Sequence, residues 1–421
     1  MKSNSKSLIC LKTISLQKKT YNSSKKKFIF FITMIIIKIH IENIKLFDKY
    51  ILNNNKEVPS HLTIAPLTIM GSNPDGTISD EERNYLSQRA KNIGLYILGA
   101  TAVNQEGIAF PNQPRAFSDK DLPSLEERAQ IIKAQGALAI NQIHHGGVLA
   151  DIKYSGTNVV AVSAEIYNEG LTKKDIKMGN EKKQLNNGDI LKIINDFAYA
   201  TELSIKAGFD GIEIHGANNY LLQQFYSGYY NKRTDEWGGS LEKRMRFPLE
   251  VVDACCKIRD KYNKPEFIIG YRLSPEEPFE NGITMTETLA LVRALVKKPI
   301  QYIHVSQKNF FQKTRRGEGI GVERLKVIHQ ETKGKVALIG VGGLYSYNDF
   351  NKALKSEFVE FIGTGRASML NKDLGILLKE QREKEINLRL DPVHPEIYSI
   401  PNLLWALCIK GFDWLPPVKG K

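Results

Sequence analysis

Short apolar segments recur along the chain from Leu62 onward, and each ends in polar or glycine-rich sequence. Most are apolar at nearly every position and too short for helices, which is typical of strands buried on both faces of a parallel sheet. We predict eight strands from this pattern. They are Leu62–Pro66, Leu95–Ala100, Leu138–Ile143, Gly211–Ile214, Phe267–Leu273, Tyr302–Val305, Val336–Val341 and Glu360–Ile362.

Segments of helical length separate these strands. The clearest are Ser79–Ile93, Ser124–Gln135, Asp189–Ala207, Ser240–Lys261, Met285–Lys297 and Ser346–Lys355. Eight alternating strand and helix units predict an α/β fold, a closed (β/α)8 TIM barrel rather than an open sheet. No G-x-G-x-x-G pattern follows the first strand, which argues against a Rossmann domain. The long gap 146–187, after the third strand, predicts an insertion over the catalytic face, formed as a hairpin and lid.

Three parts are expected in the chain. Residues 46–370 form the barrel, and residues 371–421 form a C-terminal helix and tail. Residues 1–45 are an N-terminal extension, either disordered or a leader, in which a basic cluster precedes the apolar run Phe28–Ile37. That run is too short to span a bilayer, which takes about 20 residues. A targeting role and a translation start at Met34 both remain open, and we favour the start at Met34.

A net charge of +13 would suggest a nucleic-acid partner if the charge were spread over the whole chain. Residues 1–60 hold twelve lysines and three acidic residues, which leaves +4 for the rest of the chain. The barrel is therefore nearly balanced, and neither nucleic-acid binding nor a membrane span is predicted. The four cysteines form no C-x-x-C pair, so zinc and iron–sulfur sites are not expected either. We expect no metal at His144 and His145, because no carboxylate or cysteine lies nearby in sequence. We also expect a cytoplasmic protein.

Glycines follow the last two predicted strands. Gly342 and Gly343 come after the seventh strand, and Gly365 and Arg366 come after the eighth. TIM barrels often bind phosphate in these two loops, where backbone N–H groups point at the ligand. An arginine adds a bidentate phosphate donor. The pattern therefore predicts a cofactor phosphate at these four residues.

The fourth strand leads into the most distinctive stretch, 210–247, which reads DGIEIHGANNYLLQQFYSGYYNKRTDEWGGSLEKRMRF. It closely resembles the old yellow enzyme family of FMN-dependent ene-reductases, whose pattern here is H-x-A-[HN]-G-Y-L-L…F-[LY]-S…N-x-R-x-D-x-[YW]-G-G-S-x-E-x-R-x-R-F. The chain departs from it at Asn219, where the family usually has Gly, and at Gly228, where it usually has Pro. The resemblance extends from about Leu46 to Ala367.

This resemblance implies where an FMN cofactor binds. Pro66 and Thr68 match the family element A-P-[ML]-[TC], in which the last side chain can hydrogen-bond the flavin. The backbone of Ala100 would contact the flavin ring. Gln142, whose amide both donates and accepts, would meet the N3–H and O2 edge. Arg272 would lie beside the N1–C2=O edge and stabilise the negative charge of the reduced flavin.

The resemblance also implies the reaction. NADH or NADPH reduces bound FMN, which then reduces an enone, quinone or nitro compound by a ping-pong mechanism. His215 and Asn218 would hydrogen-bond the acceptor oxygen, and Tyr220 would donate the proton. The alternatives are another flavin-binding TIM-barrel dehydrogenase and a non-catalytic flavin-binding barrel. An aldolase is disfavoured because no lysine lies at a predicted strand end. The oligomeric state, including a homo-oligomer, is left open.

Overall fold

The computed structural model describes residues 46–163 and 182–421. Eight parallel strands close into a barrel in chain order, which confirms the predicted (β/α)8 fold. We label them β1 to β8. They are Leu62–Ile64, Leu95–Ala102, Leu138–His144, Gly211–Gly216, Ile268–Leu273, Tyr302–Val305, Ala337–Gly340 and Phe361–Thr364.

Several strands continue beyond their predicted ends. In β4 the predicted end is Ile214, yet His215 and Gly216 still pair with Arg272 and Leu273 of β5. The backbone ladder continues after the apolar residues stop, because its hydrogen bonds do not depend on side-chain polarity. The polar side chains of the motif therefore lie on regular strand and not in a loose loop.

The helices surround the barrel. Their bounds are Asp80–Leu86, Leu122–Lys133, Ile152–Ser155, Asn187–Lys206, Leu221–Tyr226, Leu241–Lys261, Met285–Leu295, Arg324–Thr332, Tyr347–Lys355, Arg366–Leu370, Leu374–Lys379 and Asn402–Lys410. The six predicted helices are all present. The first ends at Leu86, seven residues before its predicted end at Ile93, and Asn92 beyond it has a left-handed backbone, with φ of 58°, that a helix does not accommodate.

Two apolar clusters, one inside and one outside the strands, show which way each side chain points. Ile97 and Ile140 belong to the inner cluster, together with Leu52 and Val58 from a short antiparallel strand pair. Ile212 and Ile214 belong to the outer cluster, which packs against the helices. Because neighbouring residues on a strand alternate in direction, the residues between and beyond these two isoleucines point into the barrel.

The insertion after β3 contains a short pair of strands. Its strands Val159–Ala161 and Lys182–Gln184 pair in parallel, so these two do not form the expected hairpin. Both are held by one side chain, since Arg233 Nη1 donates to the backbone oxygens of Val162 (2.9 Å) and Leu185 (2.7 Å). A single guanidinium binding the ends of both strands favours the parallel arrangement over a hairpin. Residues 164–181, in the middle of the expected insertion, lie outside the described residues, so the lid stays a prediction.

The remaining expectations concern the two ends of the chain. Residues 1–45 lie outside the described residues, so the extension, leader and start-site interpretations stay predictions. Residues 371–421 contain helices Leu374–Lys379 and Asn402–Lys410, and Asp413 extends back to the barrel, where it pairs with Lys308. In the part of the chain that the structure describes, no helix is long and apolar enough to cross a membrane.

A buried ion pair between two outer helices provides a test of this fold. Glu82 and Arg128 are both fully buried, and Arg128 donates to both carboxylate oxygens (2.8 and 2.9 Å). We expect Arg128→Met to lower the free energy of unfolding by about 3–5 kcal/mol, because Glu82 is left as an uncompensated buried charge. Urea denaturation measures this. The double variant Arg128→Met/Glu82→Leu should recover part of the lost free energy of unfolding, because no buried charge remains. An Arg128→Met variant within about 1 kcal/mol of wild type would contradict the prediction.

Candidate active site

A cavity of about 970 Å³ lies at the C-terminal ends of the barrel strands. Nine of the twelve predicted site residues line it. They are Pro66, Thr68, Asn218, Tyr220, Arg272, Gly342, Gly343, Gly365 and Arg366. The other three, Ala100, Gln142 and His215, are buried beside it and are 5%, 1% and 3% exposed. The structure therefore brings residues from seven different strand ends to one place.

His215, Asn218 and Tyr220 are arranged by a tight turn at the end of β4. Asn218 and Asn219 both adopt left-handed backbone conformations, with φ of 57° and 62°. Asparagine tolerates this conformation better than most residues, so Asn219 can replace the glycine that the resemblance leads one to expect. Asn219 also exchanges two hydrogen bonds with Gln223 (2.8 and 2.9 Å), which hold the turn.

Hydrogen bonds fix what two of these side chains can offer a ligand. The backbone N–H of Ala217 donates to His215 Nδ1 (3.3 Å), which leaves the proton of the neutral ring on Nε2. Ser306 Oγ donates to Asn218 Oδ1 (2.8 Å), which leaves the Asn218 amide nitrogen as the free donor. Both side chains are therefore set to donate hydrogen bonds.

Burial sets the protonation of the site. It lowers the pKa of His215 well below its usual value, and the positive charge of Arg272 adds to this effect. His215 is therefore a neutral donor near pH 7. Burial raises the pKa of Tyr220, although Arg272 opposes the shift. Tyr220 thus keeps its proton and is available as an acid.

An aromatic cluster that the sequence did not predict surrounds Tyr220. The ring of His144 meets the ring of Tyr220 edge-on at 4.3 Å, and His215 lies 5.0 Å from Tyr220 on another side. Phe110, from the loop after β2, stacks on His144 at 5.6 Å. Gln113 donates to His144 Nδ1 (3.1 Å) and fixes that ring. Inward alternation along β3 could have identified His144, but nothing in the local sequence identifies Phe110.

A charged network lies below the cavity, at inward positions of β3 to β6. Glu213 accepts from Gln142 Nε2 (2.6 Å) and from His304 Nδ1 (2.8 Å). Burial opposes ionisation of Glu213, but His304 and Arg272 together hold its pKa below the usual range. Burial lowers the pKa of His304, although Glu213 opposes the shift, so that ring is neutral. Glu213 and His304 were not predicted as site residues, although both follow from strand alternation.

The glycine loops of β7 and β8 meet at the opposite side of the cavity. Gly342 has φ of 135°, and a Cβ there would lie 2.6 Å from the backbone of Phe310, so only glycine fits. Arg366 Nη2 lies 3.9 Å from the position of a Cβ on Gly343, which places the guanidinium against the other loop. The Asp413 backbone oxygen accepts from Arg366 Nη1 (3.2 Å).

The floor between these two sides is built from closely packed backbone. Thr68 pairs with Gly99 as an isolated parallel bridge, although the regular part of β1 ends at Ile64. A Cβ on Gly99 would lie 2.5 Å from Pro66 and 2.9 Å from Gln142 Oε1. A side chain there would collide with both, so Gly99 keeps Pro66 and Gln142 close together beside Ala100.

The residues fit a flavin mononucleotide. The backbone N–H groups of the glycine loops and the Arg366 guanidinium could bind the phosphate. The Gln142 amide could both donate to and accept from the polar edge of the flavin ring. Arg272 is buried, and its Nε has no hydrogen-bond partner among the described residues. A buried guanidinium nitrogen without a partner is costly unless a ligand completes it.

Comparison with known proteins agrees with this fit. The model of the NADH:flavin oxidoreductase / NADH oxidase family matches residues 45–385. The probable NADH-dependent flavin oxidoreductase YqiG of Bacillus subtilis is 38% identical over 88% of this chain and 97% of that protein. NADH:fumarate oxidoreductase of Klebsiella pneumoniae is 34% identical over 87% of this chain, but the match spans only 39% of that longer protein.

Solved structures give the same assignment. An old yellow enzyme homologue from Zymomonas mobilis superposes with a TM-score of 0.67 at 26% identity, covering 80% of this chain and 93% of that one. Morphinone reductase in complex with tetrahydroNAD gives 0.66 at 26% identity, covering 80% and 90%. The chain therefore belongs to the NADH:flavin oxidoreductase family, together with the old yellow enzymes, and is an FMN-dependent oxidoreductase that uses NADH.

Proposed function

We propose that the cavity holds FMN and, in turn, NADH and an electron-poor acceptor, with His215, Asn218 and Tyr220 acting on the acceptor. One observation carries this proposal: the glycine loops of β7 and β8 and the turn after β4 open into the same cavity. Its volume of about 970 Å³ lies at the upper end of the range for small-molecule sites. Phosphate-binding groups and acceptor-binding groups thus face one space.

The proposed cofactor-facing roles are based on where these residues lie around the cavity. We assign phosphate binding to Gly342, Gly343, Gly365 and Arg366, the polar ring edge to Gln142 and Arg272, and the ring plane to Pro66, Thr68 and Ala100. Bound FMN supplies hydride transfer from NADH to the acceptor. Arg272 places a positive charge where negative charge develops on reduction, which is how a protein tunes a flavin.

The acceptor is bound and protonated by this chain. His215 Nε2–H and the Asn218 amide donate hydrogen bonds to its carbonyl or nitro oxygen, and these bonds strengthen as negative charge develops there. For an enone, hydride adds to the β-carbon and Tyr220 donates its proton to the α-carbon. The tyrosinate then regains a proton from water. Neutral His215 is suited to this role, because it stabilises the oxygen without competing as an acid.

The acceptor class that we favour is an alkene conjugated to a carbonyl or carboxyl group. Relatives are named for fumarate, acrylate and 12-oxophytodienoate, and a structural neighbour is named for morphinone. Quinones and nitro compounds present oxygens that the same two donors could hold. A different flavin dehydrogenase and a non-catalytic flavin barrel are not favoured, because the NADH-dependent relative matches along nearly its whole length.

Tyr220→Phe separates proton donation from binding. We expect NADH to reduce the FMN of this variant at nearly the wild-type rate. Reoxidation of the FMN by an enone should be about 100- to 10,000-fold slower, because a general acid usually contributes a factor of this size. Quinone reduction needs no carbon protonation and should be spared. Anaerobic stopped-flow absorbance measures each half-reaction. Equal slowing with enone and quinone would contradict the role of Tyr220.

The lowered pKa of His215 makes a prediction about pH. Because that pKa lies well below 6.5, the ring stays neutral between about pH 5.5 and 8, and its hydrogen bond should not change over this range. Phenols bound to the oxidised enzyme should therefore show a charge-transfer band that depends on pH only through their own ionisation. A second inflection near pH 6.5 would show that His215 titrates. His215→Ala should weaken phenol binding at every pH.

Arg366→Ala tests the phosphate cradle. We expect the purified variant to lose most of its FMN while the remaining holoenzyme keeps the wild-type preference among acceptors, since Arg366 lies on the far side of the cavity from Tyr220. FMN content by absorbance and dissociation constants by titration measure this. Arg293→Ala is the matched control, because it removes an arginine that pairs on the surface with Glu318 and Glu331. Full FMN occupancy in the Arg366→Ala variant would contradict a role for Arg366 in phosphate binding.

A further inference from the structure

Glu213 is a fully buried carboxylate below the cavity, and both of its oxygens accept hydrogen bonds. Oε1 accepts from Gln142 Nε2 (2.6 Å) and Oε2 accepts from His304 Nδ1 (2.8 Å). Glu213 and His304 have no solvent exposure. The mechanism above gives neither residue a role. A buried carboxylate is costly unless it is paired and hydrogen-bonded, and these two contacts meet that need.

The contact with Glu213 fixes the direction of the Gln142 amide. An ionised carboxylate only accepts hydrogen bonds, so Gln142 must turn its NH2 group toward Glu213. Its carbonyl oxygen then points away, and it lies 2.9 Å from the Cβ position of Gly99 at the cavity floor. Without Glu213 the amide could present either end, because the two ends are nearly equal in shape. The carboxylate thus decides that Gln142 offers an acceptor.

The strand register keeps this arrangement rigid. Gln142 and Glu213 are direct partners across β3 and β4, and Arg272 is the direct partner of both His215 and His304. The Nε2 atom of His304 is buried without a hydrogen-bond partner among the described residues. His304 is therefore held only through Nδ1, and its orientation depends on Glu213.

We propose that Glu213 is a positioning residue for the flavin, which acts through Gln142 by making its carbonyl oxygen the group that accepts the ring N3–H. This inference rests on the proposed placement of Gln142 at the polar edge of FMN. Glu213 also offsets part of the positive charge of Arg272 below the same edge. Both effects keep the reduced, anionic flavin less stable than Arg272 alone would make it.

Glu213→Gln tests the inference, because it keeps the shape and removes both the charge and the fixed amide direction. We expect the ratio of affinities for reduced and oxidised FMN to rise about tenfold, which raises the two-electron midpoint potential by about 30 mV. Equilibration with a redox dye measures the potential. Because this readout needs no turnover, it is independent of how Tyr220 and the acceptor behave.

A matched control separates this role from a structural one. Glu82→Gln alters another fully buried carboxylate that is paired with a cation, Arg128, away from the cavity. Both variants should be less stable than wild type, but only Glu213→Gln should shift the potential. Equal potentials in wild type and Glu213→Gln, or equal shifts in both variants, would overturn the inference.

A double-mutant cycle tests whether the effect passes through Gln142. The Gln142→Met variant keeps the volume and removes the amide, so Glu213→Gln should shift the potential less in that background. An equal shift in both backgrounds would overturn the proposed route. If Glu213→Gln does not fold, His304→Leu applies the same test, because it removes the other hydrogen-bond donor to Glu213 and so favours the neutral carboxyl. It should shift the potential in the same direction, and no shift would count against the inference.

The outcomes also separate this inference from the proposed function. Failure of the wild-type protein to take up FMN at the cavity would contradict the placement on which both depend. If wild type binds FMN and is reduced by NADH while Glu213→Gln keeps the wild-type potential, only the role of Glu213 is wrong.

Discussion

The alternation of side chains along the parallel strands is the constraint on which the rest of this structure depends. Alternate positions of β4 send Ile212 and Ile214 outward to the helices and Glu213 and His215 inward. The inner face changes from apolar to polar along each central strand. Its lower part is sealed by Ile97, Ile140 and their neighbours, so the polar groups collect at one end.

Closure of the barrel brings the inward-facing polar residues of different strands into contact. Residues far apart in sequence become direct neighbours, as when Gln142 meets Glu213 and His304 meets Arg272. Each buried polar group then needs a partner, and the partners restrict each other. A neutral His215, a protonated Tyr220 and an ionised Glu213 lie within one network, because the surroundings of each differ in burial and in nearby charge.

The N-x-R-x-D part of the family motif, Asn231, Arg233 and Asp235, has a structural role. Asn231 donates to the backbone oxygens of Phe225 (2.7 Å) and Trp237 (2.8 Å). Arg233 binds both strands of the insertion and also pairs with Asp235. None of these three residues lines the cavity. They fix the loop after β4 and the insertion beside it, so a strong motif match combines chemical residues with structural ones.

The sequence by itself determined the number and order of the strands, the barrel, and the positions of the glycine loops, because periodicity and glycine are local signals. It also located the stretch that contains His215, Asn218 and Tyr220. Only the tertiary structure decided that Phe110 and His144 pack around Tyr220, that the insertion strands run parallel, and that Glu213 orients Gln142. These features depend on which residues become neighbours when the barrel closes. That choice is made by strand register and side-chain packing over long sequence separations, and no local pattern encodes it.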